Sequence, residues 1–235
     1  MFQEFQKKAH YQNFEARRLE KLFANRYRGK SVLDIGCGQG RNFPAMDKAG
    51  CHVTGVDANA EQVAGLRAQG REVYTPENLP TGEKYDILLM SHIIEHMDAR
   101  ELAEFFNHYL NYLEPDGKFI VATPVLGERF YYDFTHIRPY YPQSLWMLIG
   151  GLDTAMEFKS GFKTRLEDIY FFRDAWKPRT SRAYYPVPDV PVWQKWLIDA
   201  GAVLGSAAHI WSGGRIGALA SWMGIYGFAE PSGRR

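Results

Sequence analysis

The residues of this sequence best suited to holding a charged ligand lie in the segment from Val32 to Gly40. A short apolar run there ends in a turn with three glycines, Gly36, Gly38 and Gly40. Glycines in such a turn permit positive φ angles and let the backbone approach a ligand closely. Free backbone amides, followed by the start of a helix, favour a negatively charged group. The segment therefore predicts a ligand-binding loop between a strand and a helix.

Two cofactors can use a loop of this kind, a dinucleotide and S-adenosylmethionine (SAM). A dinucleotide fingerprint has its third glycine three positions after the second, whereas here Gly40 comes one place early and Arg41 occupies the fingerprint position. Asp34 precedes the loop, where its carboxylate would repel a pyrophosphate but pair with the α-ammonium of an amino acid. The loop therefore favours SAM over NAD.

A second acidic residue, Asp57, ends the next predicted strand in Gly55-Val-Asp-Ala-Asn59. A carboxylate at this place can accept hydrogen bonds from both hydroxyls of a ribose. The alternative is that Asp57 caps the following helix, although Asn59 is the better candidate for that cap. We expect Asp57 and the neighbouring Ala58 to contact the cofactor.

The elements that must position these residues alternate between strand and helix. The hydrophobic pattern predicts helices over 3–28, 41–49, 59–69 and 99–113, and strands over 31–35, 52–56, 72–74, 85–90 and 118–122. Such alternation implies right-handed crossovers and a mostly parallel sheet. Ligands bind at the carboxyl ends of the strands in sheets of this kind, so residues 35–41, 57–59 and 90–96 should meet at one site.

The second half of the chain has a weaker pattern. An aromatic-rich loop is predicted over 125–141 and a proline-rich loop over 177–191, with a turn already signalled at Pro115-Asp-Gly117. Helices are predicted over 142–151 and 192–203, and strands over 166–172 and 222–228. We expect residues 1–29 to form a helical cap, 30–125 the SAM-binding α/β core, and 126–235 a substrate or lid region that also completes the sheet.

Five ordered segments resemble the motifs of class I SAM-dependent methyltransferases, in particular the small-molecule methyltransferase-domain group. They are Val32–Gly40, Gly55–Asp57, Glu77–Pro80, Tyr85–His96 and Leu113–Phe119. The resemblance covers roughly residues 30–125. It implies an α/β, Rossmann-like doubly wound sheet of seven mostly parallel strands, the last one antiparallel, with SAM as the cofactor and S-adenosylhomocysteine (SAH) as the product.

The resemblance also implies which residues contact SAM. They are Asp34, Gly36, Cys37, Gly38, Gly40, Asp57, Ala58, Glu77, Asn78, Leu79, Ser91 and His92. Thr75 stands where many relatives carry an acidic residue before the Leu-Pro pair. The adenine contact therefore stays open between Glu77, Asn78 and the backbone of Leu79.

A methyl acceptor with a hydroxyl group usually needs a base, and two histidines are candidates. His96 follows Glu95 at the end of the fourth strand, where the pair can equally be structural. His136 with Asp133 can form an oriented base after the fifth strand, or His136 can serve only to shape a lid. Arg138 and Tyr132 are expected to bind the substrate, Arg138 through an anionic group. No metal site is predicted.

Bulk properties narrow the class of protein further. The net charge of +1 over 235 residues argues against nucleic acid as a partner. Two cysteines, no signal-peptide pattern and no apolar run long enough to span a bilayer indicate a cytoplasmic protein. We expect a small-molecule, saccharide or lipid-linked acceptor, with O-methylation favoured. Peripheral membrane contact, a monomer and a homodimer all stay open, as do two other functions, an inactive SAM-binding protein and an NAD-dependent oxidoreductase.

Overall fold

The computed structural model describes residues 8–150, 158, 160–175 and 191–230. Its helices are α1 (Tyr11–Arg26), α2 (Phe43–Lys48), α3 (Ala60–Ala68), α4 (Ala99–Tyr109), α5 (Pro142–Ile149) and α6 (Val192–Trp211). Its strands are β1 (Ser31–Ile35), β2 (His52–Val56), β3 (Glu72–Tyr74), β4 (Tyr85–Ser91), β5 (Leu113–Pro124), β6 (Thr164–Asp174) and β7 (Ala218–Phe228). The predicted loop over 177–191 lies almost wholly outside the described residues.

The strands form one seven-stranded sheet in the order β3-β2-β1-β4-β5-β7-β6. The first five strands pair in parallel, and Ile35 at the end of β1 lies beside Val56 of β2 and Met90 of β4. The order reverses beside β1, which is the switch point where ligands bind in doubly wound sheets. The predicted Rossmann-like sheet is confirmed, and so is the meeting of the ends of β1, β2 and β4.

The last strand in the chain, β7, lies between β5 and β6 and runs antiparallel to β6. The amide of Ala229, just after β7, donates to the carbonyl of Lys163, just before β6, at 2.9 Å. On the other side of β7, the ring of Tyr226 stacks on Phe119 of β5 at 4.9 Å between centroids. The last strand therefore fills the place between β5 and β6, although α6 separates it from β6 in the chain.

Several boundaries differ from the sequence prediction, and α6, for example, ends at Trp211 rather than at residue 203. The predicted turn at 115–117 is absorbed into β5, because Tyr85 pairs with Leu113 and Ile87 already pairs with Lys118, so the extra residues form a bulge in one strand. The predicted helix over 99–113 ends at Tyr109 and continues as a tighter turn over Leu110–Tyr112. The helix begins where Asp98 caps it, directly after the Glu95-His96 pair, and Glu101 completes the capping box.

The chain divides into two compact units, residues 1–18 with 171–221, and residues 19–170 with 222–235. The larger unit holds most of the sheet and a core of buried apolar side chains. In the smaller unit Glu15 accepts a hydrogen bond from the Ser221 hydroxyl at 2.8 Å, and Phe14 packs edge-on against His209. Among the described residues, no helix is both long enough and apolar enough to cross a bilayer.

Candidate active site

The glycine loop after β1 has a backbone that requires its glycines. Gly36, Gly38 and Gly40 have φ angles of 71°, 54° and 76°, a region that other residues rarely adopt. A Cβ on Gly36 would lie 2.5 Å from Cδ1 of Ile93. The predicted turn geometry is confirmed.

The amides of this loop are not free, contrary to the expectation from the sequence. Gly36 and Cys37 both donate their amides to the carbonyl of Val56, at 2.8 and 3.1 Å, and Gly38 donates to Oδ2 of Asp57 at 2.7 Å. The end of β2 uses these donors because it lies directly beside the end of β1. The loop is thereby held rigidly, and its binding capacity must come from other groups.

Asp34 is the group that stands out at the end of β1. Its side chain is fully buried, and among the described residues neither carboxylate oxygen has a hydrogen-bond partner. Burial raises the pKa of Asp34 to about 7, and the charge of Asp57 adds to this effect. The Asn42 side chain, which lies near the carboxylate but outside hydrogen-bonding geometry, and the Arg41 charge oppose it. A buried carboxyl of this kind is stabilised by a cationic hydrogen-bond donor such as an ammonium group.

Arg41 is a site residue that the sequence argument did not assign. Its Nη2 donates to the Ser91 hydroxyl at 3.3 Å, which joins the glycine loop to the end of β4. Its positive charge also favours the ionised form of Asp34. The signal in the sequence was a basic residue at the position where a dinucleotide site carries glycine.

Asp57 faces the glycine loop from the end of β2. Its Oδ2 accepts the Gly38 amide, and its Oδ1 accepts the amide of Asn59 at 2.9 Å. Asn59 is the residue that caps α3, through bonds from Glu61 and Gln62, so the cap expected for Asn59 is confirmed. Each Asp57 oxygen keeps a lone pair for a further donor, and Ala58 beside it is exposed.

The three candidate residues after β3 each offer a ligand a different chemical group. Glu77 and Asn78 are exposed on a short 3-10 turn, and the Asn78 amide side chain donates to the Thr75 hydroxyl at 2.7 Å. The Leu79 side chain is buried in the core, so only its backbone can meet a ligand.

Cys37 is buried inside the loop and is not a nucleophile. Burial, with the negative charges of Asp34 and Asp57, raises the pKa of its thiol to about 12. The sulfur packs where β2 has Gly55, since a Cβ there would lie 2.9 Å from it. Cys37 therefore packs against β2 and supports the conformation of the loop.

Glu95 organises the end of β4 from a fully buried position. Its Oε2 accepts the Thr123 hydroxyl at 3.0 Å, and its Oε1 lies 3.3 Å from Nδ1 of His92. Its carbonyl accepts the amides of Ile137 and Arg138. His92 has a φ of 58°, which is rare for residues other than glycine. This φ indicates that the turn is conformationally constrained.

His96 and His136 meet edge to face, with ring centroids 4.8 Å apart. Nδ1 of His136 lies 2.7 Å from the carbonyl oxygen of Phe130, and Nδ1 of His96 lies 3.2 Å from that of Thr135. The Thr135 hydroxyl, 3.0 Å from Nδ1 of His96, donates its proton to Asp133 and so acts as an acceptor toward the ring. A carbonyl oxygen only accepts, so each Nδ1 carries the proton and each Nε2 is left with its lone pair.

Asp133 lies close to His136 but does not hold it as expected from the sequence. Its Oδ2 is 3.8 Å from Nε2 of His136, beyond hydrogen-bonding distance, while its Oδ1 accepts both the amide and the hydroxyl of Thr135. The Thr135 hydroxyl bond lowers the pKa of Asp133. The carbonyl of Phe130, which no side-chain pattern reveals, orients the imidazole instead.

The expected substrate residues lie on the same aromatic-rich loop. Tyr132 is 59% exposed, and Arg138 is exposed with its guanidinium 5.8 Å from the ring of Tyr140. The structure thus brings Tyr132, Asp133, His136 and Arg138 onto one loop tied to Glu95.

Glu95, His96 and His136 form the grouping with metal-ligand chemistry in the part of the chain that is described. One ligand atom from each lies within 4.8 Å of the others. No metal site was predicted from the sequence, because His136 joins Glu95 and His96 from a distant segment of the chain.

This chain is similar to known methyltransferases in both sequence and structure. A model of the "methyltransferase domain" family matches residues 5–155. A SAM-dependent methyltransferase structure from Archaeoglobus fulgidus superposes with a TM-score of 0.56 at 19% identity, covering 90% of both chains. A 1,6-didemethyltoxoflavin-N1-methyltransferase structure from Burkholderia thailandensis, with bound S-adenosylhomocysteine, gives 0.55 at 17% identity over 92% of this chain and 78% of that one.

Curated relatives match a shorter part. A ubiquinone biosynthesis O-methyltransferase from Paramagnetospirillum magneticum is 31% identical over 105 residues, which is 41% of each chain. The protein of the same name from a Chelativorans species is 34% identical over 109 residues, 43% of this chain and 42% of the relative. The chain thus matches about two fifths of the length of these relatives. Because the family model matches well over half of the chain, this protein belongs to the methyltransferase domain family.

Proposed function

We propose that this chain is a SAM-dependent methyltransferase that transfers a methyl group to a hydroxyl of a small molecule. One observation carries the proposal: in a chain of the methyltransferase domain family, Asp34 is fully buried beside the glycine loop with no partner for its carboxylate. An amino-acid ammonium is a cationic hydrogen-bond donor that can pair with such a carboxylate, and SAM carries one.

The cofactor is held by residues from β1, β2 and β4. Asp34 binds the ammonium group and Asp57 the ribose hydroxyls, while Ala58 and one of Glu77, Asn78 or the Leu79 backbone contact the adenine. Ser91, kept in place by Arg41, and His92 line the methionine part. The glycines Gly36, Gly38 and Gly40 leave room for the cofactor, and Cys37 supports the loop.

His136 is the proposed general base. When bound, SAM supplies a methyl group on a positively charged sulfur. Nε2 of His136, left free because Nδ1 donates to the Phe130 carbonyl, accepts the hydroxyl proton of the acceptor. The acceptor oxygen would then take the methyl group that bound SAM would supply, with the neutral thioether SAH as the other product, and His136 would hold the proton.

The neighbouring residues position this base. Glu95 holds the loop through the Ile137 and Arg138 amides, and His96 packs against the imidazole of His136. Asp133 stabilises the imidazolium form through its negative charge at 3.8 Å. Arg138 and Tyr132 are exposed and contact the acceptor. His96 is a second candidate for the base, because its Nε2 is equally free.

The acceptor is proposed to be a small molecule, and oxygen its reactive atom. The curated relatives named ubiquinone biosynthesis O-methyltransferase support both statements for the part of the chain they match. The aromatic-rich loop over 125–141 also supports a saccharide or a lipid-linked molecule as the acceptor. The two cysteines are free, which fits a cytoplasmic location. Residues 30–125 are proposed as the SAM-binding core, with residues 1–29 as a helical cap and residues 126–235 as the substrate region.

Calorimetry with SAM, SAH and NAD, followed by a turnover assay, separates the three candidate functions. SAM and SAH should bind and NAD should not, because Asp34 repels a pyrophosphate. No binding of SAM or SAH at millimolar concentration would contradict the proposal. Binding of SAM without SAH formation on any phenol or alcohol offered would favour an inactive SAM-binding protein.

The pH dependence of stability tests the state of Asp34. Because burial raises the pKa of Asp34 to about 7, the folded protein keeps a proton that the unfolded chain has lost above about pH 4. The free energy of unfolding should therefore fall between about pH 4 and pH 7 by a few kcal/mol more in the wild type than in Asp34→Asn. Urea unfolding at a series of pH values measures it, and a difference independent of pH would contradict the assignment.

The variant Asp57→Ala tests the ribose contact. It should weaken SAH binding by about tenfold or more, because hydrogen bonds to a carboxylate are lost. Glu83→Ala, an exposed carboxylate before β4, is the matched control and should leave the affinity unchanged. An SAH analogue without the 2′-hydroxyl should lose affinity for the wild type only; an equal loss in Asp57→Ala would show that Asp57 acts on the loop alone.

The variant His136→Ala tests the base. It should lower turnover by about a hundredfold while SAH affinity changes little, measured as SAH formed with a panel of phenols and alcohols. His52→Ala, at the exposed start of β2, is the control. An unaltered rate would make His136 a loop residue. Loss of wild-type activity on chelation, restored by a divalent cation, would instead assign Glu95, His96 and His136 to a metal.

A further inference from the structure

The helix α6 exposes an apolar stripe on the side opposite to the one it buries. Its buried residues include Ala202, Ser206 and His209. The opposite stripe is made of apolar residues that recur every three or four positions, which places them on one face. They are Trp193, Leu197, Ala200, Leu204, Ala207 and Trp211, and Trp196 lies at the edge of this face.

The exposure of this stripe, called here the α6 face, is unusual for large side chains. Trp193, Leu204 and Trp211 are 62%, 70% and 88% exposed. Burying a large apolar side chain is favourable, so a row of them left in water favours contact with an apolar phase. The charged residues of α6 are Lys195 and Asp199, and helical spacing puts both away from the stripe, toward the side that carries the buried residues.

The unit that carries the α6 face is also the cationic one. Residues 1–18 with 171–221 contain ten lysines and arginines against five aspartates and glutamates, a net charge of +5, whereas the whole chain carries +1. The other unit is therefore acidic, at −4. A basic unit presenting tryptophans and leucines on one helix matches the chemistry of an anionic bilayer surface, where indole rings sit at the headgroup level.

We propose that the α6 face docks on the surface of an anionic lipid bilayer. The helix lies in the interface with its stripe at the acyl boundary, and the net positive charge of its unit attracts the anionic headgroups. This docking goes beyond the methyltransferase function and does not depend on it, because no residue of the α6 face is among those assigned individually to the cofactor, the base or the acceptor. A second copy of the chain is the competing occupant, and nothing in the charge pattern favours it, since two +5 units repel each other.

Flotation of the full chain with vesicles tests the proposal. The wild type should float with vesicles containing phosphatidylglycerol and much less with pure phosphatidylcholine, and added salt should weaken the binding because the charge attraction is screened. The double variant Trp193→Ser/Trp211→Ser should bind at least about tenfold more weakly, since two interfacial anchors are lost. The matched control Trp146→Ser, a partly exposed tryptophan of the other unit, should bind as the wild type.

Three results would overturn the proposal. They are no flotation with anionic vesicles, equal binding by the double variant, and equal binding to neutral and anionic vesicles. Sedimentation without vesicles distinguishes the competing occupant: a wild-type dimer that the double variant converts to a monomer, with no vesicle binding, would assign the α6 face to a second copy. Calorimetry with SAH should give the same affinity for the double variant and the wild type, which keeps this test separate from that of the proposed function.

Discussion

A carboxylate buried without a partner is costly, and Asp34 places one at the end of the central strand β1. The cost is tolerable in two ways, by holding a proton, as the raised pKa indicates, or by receiving a cation. The rest of the site is arranged around this group. Arg41 lies near enough to act on the charge of Asp34 without forming an ion pair with it, and its guanidinium is directed to Ser91 instead. The place beside Asp34 is thus suited to a ligand's ammonium group.

The pairing of β1 with β2 determines which hydrogen bonds the glycine loop and Asp57 form. Because β1 and β2 pair in register up to Ile35 and Val56, the loop amides find the Val56 carbonyl and the Asp57 carboxylate within reach. These bonds take the donors that a phosphate would need. The loop is therefore a rigid wall for a ligand recognised by carboxylates, which is the opposite of a pyrophosphate site, and this is the physical reason to prefer SAM over a dinucleotide.

Local patterns were sufficient to predict the elements that carry the cofactor residues. The strands of the first half, the positive φ angles of the loop and the Asn59 cap were all predictable, because each depends on neighbours in sequence. The loop amides were misjudged, since their partners come from β2. The orientation of His136 by the Phe130 carbonyl and its meeting with His96 were equally beyond the sequence, because backbone acceptors have no residue type and the two segments are forty residues apart. From the sequence, Arg41 was identified only as the residue at the position where a dinucleotide fingerprint has its third glycine.

If Asp34 recognises the amino-acid end of the cofactor, calorimetry with two ligands should show it. SAH carries an α-ammonium group, and 5′-methylthioadenosine has the same nucleoside and sulfur without the amino acid. The wild type should bind SAH far more tightly than methylthioadenosine, and this difference in affinity should largely disappear in Asp34→Asn while methylthioadenosine binding is unchanged. A difference of the same size in Asp34→Asn would show that Asp34 does not recognise the amino acid.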